Sequence, residues 1–177
     1  KAVIDIGSNS VKLAIGEPQK RGINIVEFLK NIVPLGNSTF YKGIISQDFI
    51  NQTVTILKNY KRVLGDYGVS NVKVIATTAI REANNRDLFI DTVRRKTGFE
   101  VEVLNVGDVL YYIDTYLSCQ LKDTFPFHQE NLLIAELGNG SLDISTMEKG
   151  MSSFSIGIPI GTLRMKQLLT RLEGSSE

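Results

Sequence analysis

Two short turns in this 177-residue sequence each place an acid two residues before a glycine and small polar residues. The first turn follows Asp5 and reads Gly-Ser-Asn-Ser over residues 7–10; the second follows Glu136 and reads Gly-Asn-Gly-Ser over residues 138–141. Glycine allows a ligand to approach the backbone closely, and successive N–H groups can form an anion-binding nest. A carboxylate on the preceding strand can hold Mg²⁺ or a water beside a bound phosphate. The turns can therefore bind phosphate, with Mg²⁺ or a water held beside it.

The turns belong to a longer internal repeat, because residues 4–13 align with residues 135–144. Both copies read acid, apolar, glycine, two small residues, serine, and then apolar-polar-apolar. The competing interpretation is two ordinary hairpin turns with exposed acids, since Gly, Asn and Ser are common in turns. The acid at the same offset in both copies favours the functional interpretation.

The hydrophobic patterns predict a βββ-α-β-α-β-α order followed by a second βββ-α unit. This alternation indicates an α/β fold with a mixed sheet. Residues 34–43 are predicted as a loop, Ser46 as the N-cap of a helix ending near residues 65–68, and Gly98 as a helix C-cap. The predicted elements are strands over 2–6, 11–16, 23–32, 72–79, 99–104 and 150–158, strands on both sides of the second turn, and helices behind Ser46 and over 87–96, 109–121 and 161–172.

The composition narrows the function classes. A formal net charge of +1 gives no bulk attraction to DNA or to an anionic membrane. One cysteine, Cys119, and one histidine, His128, exclude an internal disulfide and a multi-histidine metal site. With neither a signal-peptide pattern nor a long apolar run, a cytoplasmic protein is expected.

Three stretches carry a family resemblance: "AVIDIGSNSVKL", "ATTAIREANN" and "LGNGSLDIS" with the later "SIGIPIGTLR". They resemble the exopolyphosphatase and guanosine pentaphosphate phosphatase family, within the actin, sugar-kinase and heat-shock ATPase superfamily. The resemblance implies an actin-like (ribonuclease H-like) first lobe over residues 1–121. It also implies the opening of a similar second lobe over residues 131–177, which looks incomplete.

The resemblance assigns roles to residues of the first turn and beyond. It makes Asp5 a metal ligand and residues 7–10 (Gly7, Ser8, Asn9 and Ser10) the first phosphate loop. It suggests a phosphate contact for Lys12, for which a solvated strand lysine is the equal alternative. Arg81 takes the position of a phosphate-binding arginine, which suits a guanidinium because it donates parallel hydrogen bonds to phosphate oxygens. The alternative for Arg81 is pairing with Glu82 or Asp87 on a helix surface.

The sequence departs from the family pattern at two places. Asp108 aligns with a glutamate that resembles the general base, but it is one methylene shorter, and Val109 replaces a second glutamate. Asp108 could also be an acid that only stabilises a helix start. In the second turn (Gly138, Asn139, Gly140 and Ser141, expected to bind phosphate), Asn139 replaces a glycine. Leu142 replaces a residue with a hydroxyl group. The expected metal ligands also differ from the family pattern, because Glu136 stands in place of an Asp and Asp143 in place of a Glu.

Other residues receive structural interpretations. Tyr111, Tyr112 and Tyr116 are expected in the core or a lobe interface, and Cys119 is expected to be buried. His128 is expected to be solvated. Three residues near the last helix are treated as structural: Gly157, Gly161 and Thr162.

The leading hypothesis is Mg²⁺-dependent hydrolysis of a terminal phosphoanhydride in polyphosphate or pppGpp, with Asp108 and Arg81 as catalytic residues. The alternative is a catalytically weakened homologue that senses polyphosphate or a guanosine nucleotide. A kinase-like ATPase is a third hypothesis, disfavoured by "DIGSNS" and "ATTAIREA". The expected ligand is polyphosphate or a guanosine nucleotide, and a homodimer is left open.

Overall fold

The computed structural model describes residues 1–20, 22–121, 125 and 131–174. It forms two compact units, residues 1–103 and 104–177, which are described separately. The elements in chain order are β1 (Ala2–Ile6), β2 (Ser10–Pro18), β3 (Ile23–Ile32), α1 (Leu35–Lys42), α2 (Gln47–Asp66), β4 (Val72–Ala76), α3 (Thr78–Arg81), α4 (Arg86–Thr97), β5 (Val101–Val103), α5 (Val106–Gln120), β6 (Asn131–Leu137), β7 (Leu142–Glu148), β8 (Met151–Ile158) and α6 (Thr162–Gly174).

The first unit contains a five-stranded mixed sheet in the order β3-β2-β1-β4-β5. The first three strands form an antiparallel meander, and β4 and β5 join it in parallel. One end of the sheet thus collects the carboxyl ends of β1 and β4, with Ile6 opposite Ala76. This mixed α/β architecture confirms the predicted fold class.

Helices α2 and α4 bury their apolar residues with the inward-facing residues of the sheet. Ser46 caps α2, accepting a hydrogen bond from the Phe49 N–H at 3.4 Å, and Gly98 ends α4 with a φ of +76°, both as predicted. On α2, the Tyr60 hydroxyl lies 2.9 Å from the Val11 carbonyl. Burial raises the pKa of Tyr60 to about 12 against a smaller opposing effect of a hydrogen bond with the Asn31 backbone.

Two short helices of the first unit were not predicted. The expected loop over residues 34–43 contains α1, and the strand expected to reach residue 79 ends at Ala76 and is followed by α3. Glycine, asparagine and serine in α1 have weak helix propensity, so the local sequence indicates a turn. Tertiary contacts override that preference: α1 contacts α3 and buries Leu35 completely.

The second unit contains a three-stranded antiparallel sheet, β6-β7-β8, with α5 packed on β7 and β8. Asp114 of α5 is buried, and its Oδ1 accepts a hydrogen bond from the Ser145 hydroxyl of β7 at 3.1 Å. None of the described residues donates a hydrogen bond to its Oδ2. Burial raises the pKa of Asp114, against a smaller opposing effect of the Ser145 hydrogen bond.

Helix α5 packs on the second sheet, and several of its residues differ from expectation in their exposure. The sequence placed this helix in the first lobe, up to residue 121, whereas the compact units divide at Val103 because α5 packs on the second sheet. Cys119 is exposed rather than buried, whereas Asp114 is the residue of α5 that contacts Ser145 of the sheet. Tyr111, Tyr112 and Tyr116 are also exposed, so the expected core position is wrong, and their position at a lobe interface stays a prediction. His128 lies outside the described residues.

Within the described part of the chain, no helix is both long and apolar enough to cross a membrane.

Candidate phosphate-binding site

Loop 1, residues 7–10, is a tight turn between β1 and β2. The Gly7 N–H donates to the Ser10 carbonyl at 3.0 Å, and a Cβ added to Gly7 would lie 3.3 Å from the same oxygen. A side chain here would therefore crowd the turn. The Asp5 carboxylate lies beside it, with Oδ1 4.0 Å from that Cβ position. Sequence and structure agree that an acid stands next to the turn.

Loop 2, residues 138–141, repeats this geometry between β6 and β7. The Gly138 N–H donates to the Ser141 carbonyl at 2.8 Å, and a Cβ added to Gly138 would lie 3.4 Å from that oxygen. The Glu136 carboxylate oxygens lie 3.5 and 3.6 Å from the same Cβ position. The repeat in the sequence is thus a repeat in backbone hydrogen bonding, despite Asn139 in the second copy.

In both copies, the segment after the third strand of the unit binds the carbonyl groups of the loop. In the first copy, Gly36 N–H donates to the Ser8 carbonyl at 2.8 Å, and Val33 N–H donates to the Asn9 carbonyl at 3.1 Å. Gly36 is the second residue of α1. The start of α1 therefore fixes the orientation of the loop 1 peptide planes.

Loop 2 is held in the same way by the start of α6. Thr162 N–H donates to the Gly138 carbonyl at 3.0 Å, and Leu163 N–H, from the second residue of α6, donates to the Asn139 carbonyl at 3.0 Å. Arg164 Nε donates to the Gly140 carbonyl at 2.6 Å. Every carbonyl from Gly138 to Gly140 is thus directed towards α6.

This arrangement determines where the amide protons of the loops point. A trans peptide plane directs its carbonyl and its N–H to opposite sides, and the described residues contain no cis peptide bond. The N–H groups of Asn139, Gly140 and Ser141 therefore point away from α6, and those of Asn9 and Ser10 point away from the segment that begins α1. Successive N–H groups on one side of a turn are the donor arrangement of an anion-binding nest.

The two copies differ in the charge that faces the acid across the strands. In the first copy, Lys12 is the cross-strand partner of Asp5, and Lys12 Nζ lies 3.0 Å from Asp5 Oδ2. In the second copy, Asp143 is the cross-strand partner of Glu136. Mg²⁺ is commonly held by one or two carboxylates together with phosphate oxygens. The Glu136–Asp143 pair therefore fits Mg²⁺ better than Asp5, whose charge Lys12 offsets.

Asp143 is 3% exposed, and its surroundings hold the carboxylate in place. Oδ2 accepts a hydrogen bond from the Ser141 hydroxyl of loop 2 at 3.2 Å. A Cβ added to Gly157 on β8 would lie 2.8 Å from Asp143 Oδ1 and 2.8 Å from Val106 of α5. Gly157 thus leaves the room that the carboxylate and the first turn of α5 occupy. Among the described residues, no group of three or more His, Cys, Asp or Glu side chains could hold a metal ion.

Arg81 lies at the same sheet edge as loop 1. It ends α3, and the Thr77 N–H just before α3 donates to the Ile6 carbonyl at the end of β1 at 3.3 Å. Arg81 is half-buried, and its Nη2 donates to Thr78 Oγ1 at 3.3 Å. The parallel pairing of β1 with β4 therefore brings three predicted parts of the site to one edge of the sheet: Asp5, loop 1 and Arg81.

Asp108 lies in the first turn of α5 and forms a capping box with Asn105. Asp108 Oδ2 accepts from the Asn105 N–H at 3.0 Å, and the Asp108 N–H donates to Asn105 Oδ1 at 2.9 Å. This capping box is the structural role that the sequence left open for Asp108, and its catalytic role stays a prediction. The same turn contains Val106, which packs beside Gly157 and thus near Asp143.

Two residues at the start of α6 contact loop 2 although the sequence did not assign them to the site: Arg164 and Gly161. A Cβ added to Gly161 would lie 2.3 Å from the carbonyl carbon and oxygen of Asn139 and 2.4 Å from the Gly140 nitrogen. Gly161 thus lets the start of α6 reach loop 2, which is a structural role beside the candidate site. The sequence contains a pattern that could have indicated Gly161, because Pro-x-Gly occurs in both copies of the repeat, at residues 34–36 and 159–161.

The family model described as the Ppx/GppA phosphatase family matches residues 13–172. This chain belongs to that family. It is 29% identical over 176 residues to the bifunctional 3-dehydroquinate synthase/phosphatase of Fusobacterium nucleatum, covering 94% of this chain and 26% of that protein. It is 23% identical over 164 residues to exopolyphosphatase 1 of Mycobacterium tuberculosis, covering 92% of this chain and 46% of that protein. The chain thus spans less than half the length of these curated relatives.

Solved structures of the family have the same fold. The Ppx/GppA family member of Aquifex aeolicus aligns with a TM-score of 0.79 at 30% identity, covering 94% of this chain and 53% of that chain. An exopolyphosphatase from Cytophaga hutchinsonii aligns with a TM-score of 0.79 at 22% identity, covering 94% of this chain and 52% of that chain. The resemblance to this family found in the sequence is therefore confirmed.

Proposed function

We propose that this chain binds the phosphate groups of polyphosphate or pppGpp and contributes to hydrolysis of the terminal phosphoanhydride with Mg²⁺. The observation that carries the proposal is the duplicated loop, in which the start of a following helix binds the carbonyls and turns the amide N–H groups to the other side. Exopolyphosphatase 1 of Mycobacterium tuberculosis, a relative of this chain, is named for such an activity. Because the chain covers part of its relatives, the proposal concerns the activity of the intact protein.

The residues of the chain divide the work of phosphoryl transfer, which needs mainly positioning and stabilisation of negative charge. Backbone N–H groups of loops 1 and 2 bind phosphate oxygens, and Arg81 offsets charge with a guanidinium that stays protonated. Glu136 and Asp143 would hold Mg²⁺, which supplies charge neutralisation at the phosphate oxygens when bound. Asp108 orients and deprotonates the attacking water.

Phosphate release from polyphosphate and pppGpp in the presence of Mg²⁺ tests the proposal, with Asp108→Asn as the critical variant. The asparagine retains an oxygen that can accept the Asn105 N–H and so preserves the capping box, but it cannot accept a proton from water at neutral pH. We expect a fall in kcat of about 100-fold or more for loss of a general base, with little change in thermal stability. Equal rates for wild type and variant would refute the catalytic role of Asp108.

A second candidate function is phosphate sensing without turnover. Two observations favour it: the carboxylate of Asp108 is engaged in a helix cap, and Val109 stands where the family pattern has a second acid. The chain is also 33% identical over 116 residues, 60% of its length, to a yeast protein named retrograde regulation protein 2. Mg²⁺-dependent binding of tripolyphosphate without phosphate release would support sensing, whereas release above the Asp108→Asn background would support hydrolysis.

A further inference from the structure

The guanidinium of Arg164 binds a carbonyl group of loop 2. It is the third residue of α6, it is half-buried, and its Nε donates to the Gly140 carbonyl at 2.6 Å. The short distance is typical of a strong hydrogen bond from a charged donor. The Gly140 carbonyl shares its peptide plane with the Ser141 N–H, one of the donors proposed to bind phosphate.

The first copy of the repeat fixes the equivalent carbonyl without a side chain. The third loop residue there is Asn9, and its carbonyl accepts from the Val33 backbone N–H at 3.1 Å. Backbone tethers of this kind depend only weakly on residue type, because every residue except proline has an N–H. Loop 2 instead relies on the identity of one residue, Arg164, for the same purpose.

We infer that Arg164 is a positioning residue for phosphate binding at loop 2. By holding the Gly140 carbonyl on the α6 side, it keeps the Ser141 N–H directed to the opposite side, where a phosphate oxygen would be bound. The inference rests on the proposed function, because it gives a purpose to the orientation of the Ser141 N–H. It assigns Arg164 an action through the loop backbone.

Geometry, rather than charge alone, is the basis of this role. A guanidinium holds its N–H groups in a rigid planar fork, so Nε can point along the Gly140 carbonyl while the side chain stays half-buried. Lysine carries the same charge as a compact ammonium on a flexible stem and does not reproduce this direction. Arginine and lysine at position 164 are therefore expected to differ in phosphate binding, although the net charge of the protein is unchanged.

The test compares Arg164→Met, Arg164→Lys and the control Arg171→Met, each in the intact protein. Arg171 lies on the same helix and is exposed, so its substitution removes the same charge away from the loop 2 contact. Calorimetry with tripolyphosphate at fixed Mg²⁺ gives affinity, and phosphate release gives kcat and KM. Circular dichroism checks that each variant is folded.

We expect Arg164→Met to weaken tripolyphosphate binding about 10-fold, the size of a lost hydrogen bond involving a charged group, and to raise KM more than it lowers kcat. Arg164→Lys should recover only part of the loss, and Arg171→Met should bind like wild type. Wild-type affinity in Arg164→Met, or full recovery in Arg164→Lys, would overturn the inference while leaving the proposed function intact. If Arg164→Met does not fold, Arg164→Lys decides on its own by the same criterion. A wild-type protein that fails to bind tripolyphosphate would refute the proposed function and this inference together.

Discussion

Replacing Gly161 with alanine should disable loop 2 while leaving the rest of the second unit folded. The added Cβ would lie 2.3 Å from the carbonyl carbon and oxygen of Asn139, where ordinary contacts begin at 3.4 Å. The clashing atoms are backbone atoms, so they cannot rotate away as the end of a side chain could. Either loop 2 or the start of α6 must therefore move by about 1 Å.

The displacement predicts the size of the effect. A misplacement of about 1 Å in a catalytic site can cost about 100-fold in rate, so we expect kcat/KM for phosphate release to fall by about that factor. Overpacking typically costs about 1–3 kcal/mol, so the free energy of unfolding should fall by a similar amount. Phosphate release and urea unfolding measure the two quantities on the same preparation.

Gly65→Ala is the matched control, because a Cβ at Gly65 meets nothing within 4 Å and the residue lies in helix α2. Alanine there should keep wild-type activity and raise stability by about 0.5–1 kcal/mol, the usual gain for this change inside a helix. If Gly161→Ala matched wild type in both activity and stability, the close approach of α6 to loop 2 would be wrong.

The remaining predictions concern the metal ligand and two buried ionisable groups. Gly157→Ala should weaken Mg²⁺ binding more than phosphate binding, because its Cβ would lie 2.8 Å from Asp143 Oδ1. An unchanged Mg²⁺ concentration requirement for phosphate release would contradict this. Tyr60 has its pKa raised from 10.0 to about 12 by burial, so its contribution to stability is complete below pH 10 and is lost as the pH rises through 12. Tyr60→Phe should therefore lower stability by about 1 kcal/mol at pH 7 and flatten the alkaline decline in urea unfolding; an equally steep decline would refute this. The pKa of Asp114 is raised in the folded state, so its contribution to stability is complete below pH 3.8 and is lost as the pH rises through the folded-state pKa. Asp114→Asn should thus be more stable than wild type at pH 7, with the difference closing as the pH falls towards 3.8, and a variant less stable at every pH would contradict it.

The parts of the fold that the sequence predicted well are those with strong local signals. The helix behind Ser46 has a polar cap and apolar residues at helical spacing, and the helix before Gly98 ends where glycine can adopt a positive φ. The turns at residues 7–10 and 138–141 were found because their chemistry occurs twice. Neighbouring residues alone mark the two helix ends, and the two turns were recognised from their own residues, although contacts from the segments that begin α1 and α6 orient their peptide planes.

The parts that the sequence did not predict depend on contacts between distant segments. α1 is composed of residues that favour turns, and its helix is stabilised where Leu35 is buried. Cys119 was expected inside because cysteine is often buried, but the side of α5 that faces the sheet carries Asp114. Arg164 acts through a carbonyl 24 residues away, which spacing along the chain does not reveal.

We propose that loops 1 and 2 bind phosphate through backbone N–H groups that point away from the segments holding the loop carbonyls. The most direct measurement is an amide NMR titration of the intact protein with tripolyphosphate and Mg²⁺. We expect saturable shifts at the N–H groups of Asn9 in loop 1 and of Gly140 and Ser141 in loop 2, with the exposed Gly68 amide unchanged as a reference. Saturable binding that leaves the loop amides unshifted, or no binding at all, would contradict it.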